Sequence, residues 1–169
     1  MTESINTEMP FHRRKDQKTD YEQRLDLVKS GKPRLVVRTS NRNTRVHISS
    51  YSPEGDENEA QTISKELEEH GWEHNTGNIP AAYLTGFLAG SKAKHGEAIL
   101  DLGLRKDKRG GRVFAAVQGA RDAGLEVPAG EDAIPDESRM VGEHIEEMTG
   151  KNVPEDVEDV KENIEGAYQ

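Results

Sequence analysis

No cysteine occurs anywhere in the 169 residues, so disulfide frameworks, thiolate metal sites and cysteine nucleophiles are excluded. Aromatic residues are scarce, at 5%, which leaves few large anchors for a core. No apolar run reaches the roughly 18 residues that a membrane span requires. The opening MTESINTEMPFHRRK lacks the apolar stretch of a signal peptide. A soluble, cytoplasmic chain is expected. Hydrophobic residues make up 32% and charged residues 33%, enough for one modest core with one or two appended segments.

The net charge of −9 argues at first against a polyanionic partner, but the distribution reverses that impression. Residues 1–50 hold 11 of the 23 Lys and Arg against 6 of the 32 acids, a balance of +5. Residues 51–169 hold the other 12 bases and 26 acids, a balance of −14. Binding follows local charge and not the total. The acidic remainder fits either solvation in a salty cytoplasm or an ordinary acidic surface with an acidic tail.

Residues 1–18 read as a polar N-terminal arm, 19–149 as a globular domain and 150–169 as an acidic tail. The arm carries Arg13, Arg14, Lys15 and Lys18. Tyr21, Leu25 and Val28 recur at helical spacing, with Thr19 or Asp20 as the N-cap and Gly31 as the stop. RLVVRTS (34–40) and RVHISSY (45–51) read as strands joined by the turn NRNT. A short strand at 60–63 follows, then a short helix that Ser64 can cap.

The clearest helix is IPAAYLTGFLAGSKAKHG (79–96), whose small residues predict close packing against a neighbour; each internal glycine costs about 1 kcal/mol against alanine. AILDLGL (98–104) reads as a buried strand, 113–125 as a helix, and 136–150 as a helix with Met140, Val141, Ile145 and Met148 on one stripe. Val157, Val160 and Ile164 leave the tail open between a short amphipathic helix and disorder. The pattern predicts an α/β fold, a mixed β-sheet with helices on both faces.

The basic first third carries the strongest chemical signal. Arg13, Arg14, Lys15, Lys18, Arg24, Lys32, Arg34, Arg38, Arg42 and Arg45 can neutralise phosphates, while Tyr21 and Asn41 can stack or hydrogen-bond. Arginine predominates on the hairpin, which suits bidentate phosphate contact. The competing reading, a solvated charged face, weakens because the run is basic inside an acidic protein. The loop 105–112 (RKDKRGGR) offers Lys106, Lys108, Arg109 and Arg112 as an auxiliary RNA contact, or is simply mobile; it lacks the spacing of a P-loop.

His70 and His74 have no third ligand and read as loop histidines rather than a zinc site. Asp101, alone on its strand, lacks the converging carboxylates of a two-metal nuclease. It reads as a local structural residue that bonds to backbone groups. A metal-dependent nuclease remains the alternative. Neither a catalytic residue, a metal site nor a cofactor is expected.

The blocks TDYEQRL and SGKPRLVVRTSN (19–41), NIPAAYLTGFLAG (78–90), AILDLGL (98–104), VFAAVQGARDAGLEVP (113–128) and GEHI (142–145) resemble the archaeal form of large-subunit ribosomal protein eighteen, in the universal numbering. The match spans about residues 11–149, and the tail beyond about Gly150 has no counterpart in it. The resemblance implies a ribonuclease-H-like core of the translational-machinery type without nuclease activity. It implies binding of 5S ribosomal RNA (rRNA) through the arm and the adjoining sheet, with Ser40 joining the residues named above. Contacts with the large rRNA and neighbouring ribosomal proteins in the central protuberance are implied as well.

Overall fold

The computed structural model describes residues 9–94, 96–104 and 108–168. A single turn, α1 (His12–Lys15), leads to α2 (Tyr21–Lys29). Of the two cap candidates it is Asp20 that serves: its carboxylate accepts from the N–H groups of Glu22 and Gln23. Strands β1 (Arg34–Thr39), β2 (Thr44–Ser50) and β3 (Glu57–Ile63) form an antiparallel meander, and β4 (Ile99–Asp101) lies parallel to β1. The sheet order is β3-β2-β1-β4. β3 begins three residues earlier than its sequence suggests, and β4 is shorter than predicted because Gly103 turns the chain at φ 62°.

Alternation sorts the sheet into two faces. Leu35, Val37, Val46, Ile48 and Ala60 point to one side, where they meet Ala89 of α3 (Ile79–Ser91) and Val113, Val117 and Ala120 of α4 (Arg112–Asp122). The small residues of α3 do what their pattern predicts. A methyl group on Gly86 would overlap the backbone of Ala116, and one on Gly119 would overlap the carbonyl of Tyr83. The two helices therefore touch backbone to backbone. Asn78 caps α3 by accepting from Ala81 N–H, and Pro80 occupies its first turn.

On the far side of α3, a second apolar cluster joins Leu67, Trp72 and Leu84 to Val153, Val157, Val160 and Ile164. The last four belong to α7 (Val153–Tyr168), so of the two readings of residues 150–169 a helix is what forms. It is integral to the core: Val153, Val157 and Ile164 are 0% exposed.

Several expectations fail. Helices do not cover both faces of the sheet: α3 and α4 pack on one, and α2 only borders the other. The helix expected over 79–96 stops at Ser91. Ser64 does not cap the 3-10 turn Ser64–His70; it is buried, and its hydroxyl accepts from Thr44 N–H at 3.0 Å. The Glu66 carboxylate accepts from Ile63 N–H instead. The helix expected over 136–150 is broken into α5 (Glu137–Val141) and α6 (Glu143–Thr149) by Gly142, at φ 90°. A side chain at Gly142 would strike Val153 and Pro80. The break splits the predicted stripe, so Met140 is buried while Met148 is fully out.

Candidate nucleic-acid interface

The second face of the sheet carries Arg34, Val36 and Arg38 from β1, His47 and Ser49 from β2, Asn58 from β3 and Asp101 from β4. With Gln23, Arg24 and Leu27 of α2 these residues border a cleft of about 440 Å³. A smaller hollow of about 280 Å³ shares Arg38 and His47 and continues to Ser40, Asn43 and Arg45 at the hairpin end. The polar face is thus an arginine-lined trough running from the arm to the hairpin tip.

Its floor is an alternating charge chain. Arg24 Nη2 donates to Asp56 Oδ2 at 2.8 Å, and Arg34 Nη2 donates to the same oxygen at 2.5 Å. Arg34 Nη1 then reaches Asp101 Oδ2 at 3.2 Å, and Arg38 Nη2 reaches Asp101 Oδ1 at 3.1 Å. Arg38 Nη1 also donates to the Asp101 carbonyl, and Asp101 Oδ1 accepts from Gly103 N–H. Three guanidinium groups and two carboxylates leave the chain one positive charge in excess. Arg34 is nearly buried, where removing either carboxylate would leave an uncompensated charge. His47 lies beside this network. Burial, and then the charge of Arg38, lowers its pKa from the ordinary 6.5.

Asp101 thus bonds to backbone, as its sequence context suggests, but its main partners are arginines. Both of its oxygens are engaged, and no group of carboxylates and imidazoles suited to a metal ion exists among the described residues. This removes the support for a two-metal nuclease. His74 is not a free loop histidine: its Nε2 lies 2.5 Å from Asp156 Oδ2, tying the loop before α3 to α7.

The sequence-predicted cations separate into three groups. Arg14, Lys15, Arg42, Arg45 and Lys108 are exposed and have no carboxylate partner among the described residues. A second group holds exposed or half-exposed partners. Arg13 Nε donates to Thr19 Oγ1, Lys18 pairs with Asp16, Lys32 with Glu97 and Arg109 with Asp132. Glu97 raises the pKa of Lys32 by hydrogen bond and charge. Arg24 and Arg38 belong here as well.

The third group is structural. Arg34 is sealed into the charge chain. Arg112 Nη1 donates to the carbonyls of Ser40 and Gly77 at 2.7 and 3.0 Å, clamping the hairpin to the loop before α3. Ser40 closes the turn by accepting from Asn43 N–H, while Asn41 and Arg42 stand exposed at its tip. Tyr21 opens α2 and faces Phe11. Lys106 lies outside the described residues.

Sequence reasoning missed Asp56, which holds Arg24 and Arg34 together, and His47. Strand alternation was the available signal for His47, because residues 45, 47 and 49 must share a face. Nothing in the turn SPEGDENE distinguishes Asp56 from its acidic neighbours.

The architecture is that of an α/β domain with one helix-covered face and one open, arginine-lined face. A family described as ribosomal large subunit proteins 60S L5 and 50S L18 matches residues 6–96. Among similar proteins, large ribosomal subunit protein uL18 of Halorubrum lacusprofundi is 50% identical over 140 residues, 81% of this chain and 76% of that protein. The protein of the same name from Haloarcula marismortui is 49% identical over 142 residues, 82% of this chain and 76% of its own length. That of Natronomonas pharaonis is 44% identical over 173 residues, 93% of this chain and 94% of its own.

The chain belongs to this family of ribosomal proteins, whose members are structural and not enzymes. Coverage of 93% leaves out fewer residues than the stretch 150–169 contains. The match to the Natronomonas pharaonis protein therefore reaches into the tail, which was expected to have no counterpart. No described helix is long and apolar enough to cross a membrane.

Proposed function

We propose that the protein is a structural constituent of the large ribosomal subunit in the cytoplasm, binding 5S rRNA and helping to attach it to the large rRNA in the central protuberance. The observation that carries this reading is the segregation of charge. Of the sequence-predicted cations, those without a carboxylate partner among the described residues sit on α1, at the hairpin end and just ahead of α4, and the trough's own carboxylates are held by arginines. The acidic residues of α7 lie on the opposite, helical side. A polyanion would meet the protein in one orientation.

Within this reading Arg14, Lys15, Arg42, Arg45 and Lys108 contact phosphate directly. Lys18, Arg24, Lys32, Arg38 and Arg109 exchange a carboxylate partner for phosphate, and Arg13 exchanges the Thr19 hydroxyl. Arg34 and Arg112 hold the surface in shape, Ser40, Asn41 and Tyr21 add hydrogen bonds or stacking, and Lys106 keeps its place on sequence alone. The order β3-β2-β1-β4, with β4 parallel to β1, supports the ribonuclease-H-like reading of the core. Neighbouring large-subunit proteins are further partners.

The test is a filter-binding titration of the full chain against 5S rRNA and an unrelated RNA across a salt series. Each phosphate neutralised adds roughly 0.7 to 0.9 to the log–log slope. Tight, salt-dependent binding with preference for 5S rRNA is expected. Equal affinity for both RNAs would reduce the protein to a nonspecific cation, and no binding in dilute buffer would end the reading.

A further inference from the structure

We propose that Phe11, backed by Tyr21, is a stacking platform for an unpaired base of the bound RNA. This rests on the RNA-binding reading above and goes beyond it. The phosphate contacts account for affinity without sequence information, whereas an aromatic face takes a base.

Phe11 is 71% exposed in a protein that has only three phenylalanines and eight aromatic residues in all. Phe87, by contrast, is buried in the core. Among the described residues the ring that meets Phe11 is Tyr21, at 5.0 Å between centroids and 47° between planes. A tilted pair of this kind stiffens both rings and leaves one face of Phe11 open. Leu25 follows Tyr21 by one helical turn and is also exposed, extending the apolar strip along α2.

The platform is fixed at both ends. Phe11 O accepts from Arg14 N–H and Lys15 N–H, which anchors the residue at the start of α1. Asp20 caps α2 beneath Tyr21, and Arg13 Nε reaches Thr19 Oγ1 at 3.0 Å, closing the arm onto α2.

Charge selects the occupant. Arg14 and Lys15, in the same turn as Phe11, are exposed and have no carboxylate partner among the described residues. An apolar protein surface docking here would desolvate these ammonium and guanidinium groups without compensation. A nucleotide brings both complements at once: a base for the ring and a phosphate for the cations. A fully paired RNA helix presents no open base face, so the base is an unpaired one.

The experiment uses the full chain and a 5S rRNA transcript, comparing wild type with F11A, F11L and F11W and with the double variant R14A/K15A. F11A is expected to weaken binding about 5- to 100-fold, the ratio that base stacking supplies, with an unchanged salt slope. F11L should be nearly as weak, because it keeps the apolar volume and loses the ring. F11W should restore affinity, and its added emission, over the buried Trp72 background, should be quenched by the RNA. R14A/K15A should instead lower the slope.

An F11L or F11A chain that binds as tightly as wild type overturns the platform and leaves the RNA-binding reading standing. So does unquenched emission from F11W. Loss of binding to a neighbouring ribosomal protein with RNA affinity intact would show a protein-docking patch and overturn it as well. If wild type ignores 5S rRNA altogether, both readings fall together. Unfolding midpoints within error of wild type, expected for so exposed a side chain, tie each change to the interface.

Discussion

The two faces of this sheet are made from the same strands, residue by residue in alternation, yet they are held together by different forces. On the helical side Leu35, Val37, Val46 and Ile48 are essentially inaccessible and meet helices that touch through glycine. On the open side Arg34, Arg38, Asp56 and Asp101 hold one another through directed ionic hydrogen bonds. The first arrangement tolerates almost no change of volume. The second tolerates exchange at its margins, where a phosphate can replace the carboxylate beside an exposed cation such as Lys18 or Lys32. Stability is concentrated on one side of the strands and ligand chemistry on the other.

The sharpest way to break this contrast is Gly86→Ala. The new methyl group meets backbone, which cannot move aside, so the loss should exceed about 3 kcal/mol and a large unfolded fraction should show in urea denaturation. RNA affinity of whatever remains folded should be unchanged. Ile164→Ala in α7 should cost about 2 to 4 kcal/mol by cavity formation, read the same way. A near-zero cost would mean that α7 does not share the core.

Asp101→Asn probes the open side. It leaves Arg34 with Asp56 alone and releases Arg38, so a loss of about 2 kcal/mol is expected in urea denaturation, within the range for hydrogen bonds to charged groups. A stability equal to wild type would show that the charge chain is decoration. Arg42→Ala should leave stability intact while lowering the salt slope for 5S rRNA by roughly 0.7 to 0.9. Lys151→Ala should change neither.

The smallest effect is that of His47 on pH dependence. Its folded pKa lies below the ordinary 6.5, from burial and from Arg38. Above 6.5 the imidazole is neutral in both states and the native state carries no penalty. As pH falls below 6.5 the unfolded chain takes up the proton first, so stability declines until the lowered folded pKa is passed. His47→Gln should flatten that part of the stability curve, measured by urea midpoints from pH 7.5 to 5. An unchanged curve would place the dependence elsewhere.

The helical side was the more legible of the two in the sequence. Period, caps and small-residue spacing specify α2, α3 and α4 because those signals are local. Gly142 shows the limit: the apolar stripe runs through it, and only the approach of Val153 and Pro80 explains why the helix must break there. Val157, Val160 and Ile164 were visible as a thin stripe in an acidic stretch, but a stripe does not reveal what it lands on. On the open side, a count of arginines could not tell Arg34, sealed between two carboxylates, from Arg42 at an exposed tip. That difference comes from Asp56 and Asp101, which are 22 and 67 residues away from Arg34.

The seat of α7 on α3 also imposes a timetable. Synthesis proceeds from the cationic end, so Trp72, Leu84 and their neighbours leave the exit tunnel before the valines that cover them exist. For that interval the nascent chain presents a greasy, unfinished flank together with a complete set of phosphate-seeking side chains. A newborn copy shielded there by a chaperone until Ile164 emerges would reach its RNA already closed.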